Sequence, residues 1–422
     1  MDFSQLLVPY CSSEIVEQFK NNLNNSSVSS LLINPNKDNS FLNEQEGLRQ
    51  DKNDELLYRF DKEENRLGKS VEHFAGGYYL LDPSSATISY YLNDYVKPNP
   101  LVLDMCAAPG GKSISFAFRR KDSLILSNDI AYNRALEITK NVDRLGLTNI
   151  LSMSIDPVKL PSKLNSLFDL IILDAPCSGS GMIRKEEKML KDWSMDKVNR
   201  LLPIQKNLLN KAYDLVKKDG IICYSTCSLS LEENEYQVKE FISSHSDIEE
   251  IKLKIKDKTI ISGEYGYHMI PGVFDGEGIY FCILKKKNGD SYSPREIKYK
   301  EKSPIENLKA ISFKKNTYLI DRFYDELDGL PYIVPGIKLY DSTDHPKCQF
   351  DHSYSKICNI ETISLSREQA IKYAKGDEIS ITDSSNDGLK VATYNGLRLG
   401  FGKKVKNKFK NYLPKGLRME LI

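Results

Sequence analysis

At 422 residues the chain exceeds what one ordinary hydrophobic core supports, so two to three domains are expected. Hydrophobic content of 40% and charged content of 28% describe a soluble globular protein. Lys+Arg 59 against Asp+Glu 58 exclude a global basic bias, so any nucleic-acid surface must be local. The start, MDFSQLLVPYCSSEIVEQ, has acidic and polar residues where a signal peptide needs a basic then apolar run. No apolar stretch reaches the roughly 18 residues of a membrane span. The eight cysteines are scattered rather than spaced as a disulfide framework. A cytoplasmic protein with reduced thiols, no membrane contact and a monomeric state is expected.

In chain order, 1–70 reads as a small α/β appendage. Phe3, Leu6, Leu7, Ile15, Val16 and Phe19 mark helical segments, and 28–33 is a strand stopped by Asn34-Pro35-Asn36. The charge-dense stretch 44–66 is most simply a solvated helix or loop. FAGGYYLLD opens a new unit, and Asp82-Pro83 supplies an N-cap and first-turn proline for the helix that feeds a strand at Leu101. Strands over 123–128, 150–155, 168–173 and 220–224 alternate with helices over 132–144, 196–216 and about 232–244. A strand pair ending at 278–287 closes the unit. This alternation predicts an α/β, Rossmann-like, mostly parallel doubly wound sheet over 71–287. Residues 288–340 are a linker or small intermediate domain. Residues 341–422 form a C-terminal unit with hairpin turns at Asn386-Asp387-Gly388 and Asn395-Gly396. Its tail interleaves Lys403, Lys404, Lys406, Lys408, Lys410, Lys415 and Arg418 with Phe409 and Tyr412. That pattern suits phosphate contact plus base stacking, with a solvated tail as the alternative.

The chemistry centres on LVLDMCAAPGGKS, residues 101–113: a buried strand, a turn of small residues and a helix start. A phosphate-binding loop needs a glycine where Cys106 stands, and the dinucleotide G-x-G-x-x-G is absent. A nucleoside-type cofactor held by Asp104 and the turn stays open, as does an ordinary strand–helix junction. Further strands end at Asp129, placed where an acidic residue takes ribose hydroxyls, then at Asp156 and Asp174. Cys177 and Cys227 follow strands expected to lie side by side, so both thiols should reach one crevice. A zinc site lacks ligands, because the histidines at 73, 245, 268, 345 and 352 make no pair with them, and no metal is expected. Nucleophilic catalysis remains, and the residues alone do not rank the two thiols. A ribose-bearing cofactor beside a thiol suggests methyl transfer to a pyrimidine.

CAAPGGKS (106–113), DAPCSGSG (174–181) and STCSLSLEENE (225–235) resemble the Sun-type RNA cytosine-5 methyltransferase family. FAGGYYLLDPSSA resembles the segment ahead of its cofactor motif, and HMIPGVFDGEGIYFCILKKK its final strand pair. The tail resembles the C-terminal, PUA-like RNA-binding region of the bacterial ribosomal-RNA small-subunit methyltransferase F type. The resemblance implies that Cys106, Ala107, Ala108, Pro109, Gly110, Gly111 and Lys112 cradle S-adenosyl-L-methionine. It implies Asp129 on the ribose hydroxyls, Asp156 by the adenine, and Asp174 near the methyl group and target base. Cys227 would be the nucleophile, Cys177 would assist product release, and Lys112 would pair with Asp174 and help proton traffic. Leu81 stands where the family has glutamine, and Leu32-Ile33-Asn34 where it has Arg-x-Asn. The expected reaction is RNA cytosine-5 methylation, on 16S ribosomal RNA or the small subunit. The same chemistry on transfer RNA or 23S RNA, or a catalytically silent RNA-binding assembly factor, are the alternatives.

Overall fold

The computed structural model describes residues 2–23, 28–44, 47–61, 66–182, 192–340, 348–382 and 384–422. Parts of the charged stretch (45–46 and 62–65) and His345 lie outside them. Among the described residues, a ten-stranded sheet forms the centre. Its parallel part comprises β1 (Leu101–Asp104), β2 (Leu124–Asn128), β3 (Ile150–Met153), β4 (Phe168–Asp174) and β5 (Val216–Thr226). They lie in the order β3-β2-β1-β4-β5. Helices α1 (Gly111–Arg119), α2 (Tyr132–Leu145), α3 (Met195–Leu215) and α4 (Glu235–Ser244) complete the doubly wound unit.

The strands are mostly apolar and buried, apart from Lys217–Asp219 in β5, because both faces are covered. Leu101, Leu103, Leu124, Leu126 and Ile171 enter one core. Val102, Ile125, Leu170 and Ile172, one position along, enter the other. Gly146 ends α2 at φ +71, a left-handed conformation that suits glycine, with its N–H returned to Val142 and Asp143. Antiparallel strands extend both edges: Ile279–Lys286 pairs with β5, and Tyr332–Val334 pairs with β3. The segment after 288 therefore completes the central sheet as well as forming its own small sheet of Lys309–Phe313, Asn316–Ile320 and Ile337–Lys338.

Several expectations need correction. The charge-dense stretch contains strands, Arg49–Gln50 and Leu57–Asp61, in a four-stranded antiparallel sheet with Val28–Ile33 and Tyr78–Leu81. Leu57 and Phe60 are buried there while Arg59 pairs with Asp51. The last of those strands lies past position 70, so the first sheet runs beyond the expected boundary. Residues Phe3–Leu6 and Ser13–Asn22 leave that sheet and pack on the central unit through Trp193, Val198, Leu229 and Ile270. β3 stops at Met153, leaving Asp156 to cap the turn Pro157–Lys159.

The C-terminal unit is a five-stranded sheet with helix Arg367–Lys375. Asn395-Gly396, at φ 45 and 74, closes the hairpin between Gly388–Tyr394 and Leu397–Val405. The 386–388 turn closes none. It opens the strand Gly388–Tyr394, whose other neighbour, Thr362–Ser364, is parallel. Phe409 is fully buried and Lys404 pairs with Asp387, so neither is free for a base or a phosphate as the tail pattern suggested. Lys403, Lys406, Lys408, Lys410, Lys415 and Arg418 are exposed.

Candidate active site

The carboxyl ends of the five parallel strands converge, as ligand crevices in such sheets do. β1 ends at Asp104, which is fully buried and accepts from the Ser113 hydroxyl at 2.7 Å. Its other oxygen has no hydrogen-bond partner, and burial pushes its carboxyl up to about 7. The turn Cys106–Gly110 follows, with Gly110 at φ +107 and α1 beginning at Gly111. The first N–H groups of α1 have no partner inside the helix and are open to a ligand. Two side chains of α2 hold the turn: Arg134 donates to the Ala108 carbonyl at 3.0 Å and Asn141 to that of Pro109 at 3.2 Å. Asn128 ties three strand ends together through the backbone of Met105 and Ile155.

Asp129 follows β2 and is buried. Its Oδ1 accepts from the Ala131 N–H at 3.0 Å, and its Oδ2 lacks a hydrogen bond, with Arg134 3.5 Å away. Asp156 sits farther out and half-exposed, capping Val158 at 3.2 Å. At the end of β4, Asp174 receives the Lys112 ammonium at 2.7 Å and the Ser225 hydroxyl at 2.8 Å. Lys112 is buried; desolvation disfavours its charge, but Asp174 and then Asp104 outweigh it and its pKa is raised.

Asp174 and Ser225 lie opposite each other in the β4–β5 pair, so the loops after them start side by side. Cys177 and Cys227 meet there, sulfur to sulfur 2.8 Å, and both are free thiols. The Cys227 N–H points at the Cys177 sulfur at 3.2 Å. Contact with Cys227, and then burial, push the Cys177 thiol well above its ordinary range. Cys223 lies in the core, as its place inside β5 suggested. No group of metal-binding side chains occurs among the described residues.

A buried carboxylate that the sequence did not single out fixes both loops. Glu233, with no exposed surface, accepts from the Ser178 N–H (2.8 Å), the Ser178 hydroxyl (2.5 Å), the Ser228 hydroxyl (2.6 Å) and Gln205 (3.1 Å). Trp193 donates to the Ser178 hydroxyl at 3.0 Å, and Lys197 to its carbonyl at 3.0 Å. Gly181 donates to the Cys227 carbonyl at 2.8 Å, and a Cβ there would collide with the Gly278 carbonyl. The visible signal was the repeated Ser-x-Ser beside Glu-Glu-Asn, which spacing alone does not connect.

Residues 92–285 match the family described as 16S rRNA methyltransferase RsmB/F, and 360–419 the Methyltransferase RsmF PUA domain. The chain belongs to the RsmB/F methyltransferase family. This RsmB/F methyltransferase is 28% identical over 394 residues to the ribosomal RNA small subunit methyltransferase F of Psychromonas ingrahamii, covering 84% of this chain and 82% of that one. A methyltransferase homolog from Pyrococcus horikoshii superposes with a TM-score of 0.55 at 25% identity, over 67% of this chain and 98% of that one. NSun6 from the same organism, solved with SFG, shares the fold with a TM-score of 0.57 at 18% identity, over 68% and 98%.

S-adenosylmethionine is the methyl donor of RsmB/F enzymes, and the residues here fit it. A buried Asp129 oxygen is left without a hydrogen bond, and a Cβ at Gly111 would meet no atom within 4 Å. A glycine at the helix start thus leaves room for close backbone approach.

Proposed function

We propose that the protein methylates carbon-5 of a cytosine in 16S ribosomal RNA, with Cys227 as nucleophile. The observation that carries this reading is the meeting of two free thiols at 2.8 Å, past the strand ends that hold Asp104, Asp129 and the Lys112–Asp174 pair. The target base has to leave its stack to reach them. Residues 106–112, Asp129 and Asp156 would hold S-adenosylmethionine, which would supply an electrophilic methyl group.

The Cys227 thiolate adds to carbon-6, forming a C–S bond and turning carbon-5 into an enamine-like nucleophile. Once carbon-5 carries the methyl group, a base, for which the Asp174 carboxylate is placed, takes the carbon-5 proton. The electron pair of that C–H bond re-forms the 5,6 double bond, and the C–S bond breaks to return the Cys227 thiolate. Cys177 assists that last step: its protonated thiol donates a hydrogen bond to the departing sulfur. Asp174, held on both oxygens by Lys112 and Ser225, stays oriented toward the base, and Lys112 supplies a nearby proton donor. A single chain provides every one of these groups, so a monomer suffices, and as an enzyme of ribosomal RNA it would work in the cytoplasm. Exposed basic residues of the PUA-matching region would hold RNA.

Bisulfite mapping of 16S ribosomal RNA from cells carrying the wild type or Cys227→Ala tests the reading. One cytosine should lose its methyl mark in the variant, while purified Cys227→Ala still binds S-adenosylmethionine. Methylation that persists in the variant removes Cys227 from the role.

A further inference from the structure

A cavity of about 530 Å³ lies where the N-terminal, central, intermediate and C-terminal units meet. It opens at the amino ends of β2 and β3, beside Lys121, Thr148 and Asn149. The cysteines follow β4 and β5 at the opposite, carboxyl edge of the sheet, at least one strand length away, roughly 15 Å at about 3.3 Å per residue. No step of methyl transfer uses it.

Its walls carry cations that form no ion pair among the described residues. Lys37 comes from the first unit, Lys121 from the loop before β2, and Arg398 from the C-terminal sheet. Each meets only neutral groups: Lys37 the Lys356 carbonyl at 3.0 Å, Lys121 the Pro35 carbonyl at 3.3 Å, and Arg398 the Ser355 carbonyl at 3.5 Å and the Cys358 sulfur at 3.6 Å. Beneath them Lys356 is buried, with its ammonium on the carbonyls of Arg398 (2.9 Å) and Leu399 (3.0 Å). Of the other buried lysines described, Lys112 has Asp174, Lys390 has Glu361 and Lys404 has Asp387, while Lys286, like Lys356, donates to carbonyls, those of Tyr213 and Val216.

Two acids also line the cavity, so four cations, Lys37, Lys121, Lys356 and Arg398, face two carboxylates. Asp321 is occupied by the Thr148 hydroxyl at 2.5 Å, and burial raises its pKa. Asp38 is exposed and accepts the Ser40 N–H at 2.8 Å. Burial, and then Arg398, hold Lys37 down to about 8, as expected where positive charge lacks compensation.

We infer that this cavity is an anion site for a phosphate group, gripped by Lys37, Lys121 and Arg398. Cations with spare donors around a pocket of this size match the charge and hydrogen-bonding demand of a phosphate. The phosphate is either one of the substrate RNA backbone, drawn across the face opposite the thiols, or part of a free phosphorylated compound. The RNA source rests on the function proposed above; the site itself does not.

The test titrates inorganic pyrophosphate into the full-length protein by calorimetry, for wild type, Lys121→Ala and Arg398→Ala. In parallel, kcat and KM are measured with a 16S ribosomal RNA transcript. Pyrophosphate affinity should fall about tenfold in each variant, the loss of one charge-assisted hydrogen bond. A matching rise in RNA KM at unchanged kcat assigns the phosphate to RNA. Weakened pyrophosphate binding with unchanged RNA KM assigns it to a free compound. If the wild type binds no pyrophosphate, or both variants bind it as tightly, the inference is overturned. Failure of the methylation reading would show separately, as a wild type that does not turn over.

Discussion

Glu233→Ala removes the one acceptor shared by four buried donors around the two cysteine loops. The hydroxyls of Ser178 and Ser228 can turn to each other, 3.3 Å apart, and Ser228 also to Ser180 at 3.2 Å. Gln205 keeps the Pro176 carbonyl at 3.0 Å. The Ser178 N–H is left stranded, and a cavity the size of a carboxylate opens next to it. One unpaired buried donor costs about 1–3 kcal/mol, and weakening of the other bonds adds about 1 kcal/mol more. A loss of roughly 2–4 kcal/mol follows, read as a lower urea midpoint at unchanged slope. The catalytic effect should exceed what that loss implies at 25 °C, where the variant stays folded. Ser178 is the neighbour of Cys177, and freeing it lets that sulfur drift from Cys227. A displacement of about 1 Å at reacting groups is worth about 100-fold in rate. Single-turnover methyl transfer should therefore fall about 100-fold, while S-adenosylmethionine affinity, set by residues on the far side of β1, stays level. Glu233→Gln retains the shape and one acceptor and should recover part of both losses. A Glu233→Ala protein that is destabilised as stated but transfers methyl groups within about threefold of the wild-type rate refutes the positioning argument.

Cys177→Ala should accumulate a covalent RNA–protein adduct, seen as a slow band on a denaturing gel, because Cys227 still attacks but leaves unaided. Turnover at the wild-type rate with no adduct would contradict the release role. Asp104 adds a pH dependence: burial holds its folded pKa at about 7, above the unfolded value of 3.8. The folded state therefore binds this proton more readily, and its contribution to stability is full below about pH 4 and lost as pH rises through about 7. Melting temperatures across pH 4–8 should fall less steeply for Asp104→Asn than for the wild type; parallel curves would show that Asp104 does not titrate there.

The central sheet was legible because its strands carry apolar runs, β1, β2 and β4 lead into acidic residues, and helix starts and stops show in the sequence. Asp82 and Gly146 sit at helix ends where sequence placed them. Side-by-side thiols followed from one inference, that β4 and β5 are neighbours. Strand Leu57–Asp61 was hidden because its half-buried positions, Tyr58, Arg59 and Asp61, read as charge, while its two buried residues, Leu57 and Phe60, lie three apart, enter different cores and show no period-two pattern. Phe409 was misread for the reverse reason: amid lysines it resembles a stacking residue, yet period-two alternation turns it inward while Lys408 and Lys410 face out. Glu233 escaped notice because its partners lie at 178, 205 and 228, and only the folded chain brings those distances in sequence to one point.

The same logic makes the first residues of the chain part of the catalytic support, though they lie outside the matched region 92–285. Phe3 packs edge-on against Trp193, ring centres 5.5 Å apart, and Trp193 holds the Ser178 hydroxyl beside Cys177. Tyr10 donates to the Leu229 carbonyl at 3.0 Å, two residues past Cys227, and stacks on His268, which in turn meets Glu235 at 3.1 Å. Asn22 reaches the Gly272 carbonyl at 2.9 Å. One short segment thus touches the supports of both thiols and of the final strand pair. The N-terminal segment packs, through Trp193 and Leu229, against the residues that flank the two sulfurs rather than against the cofactor side of the sheet.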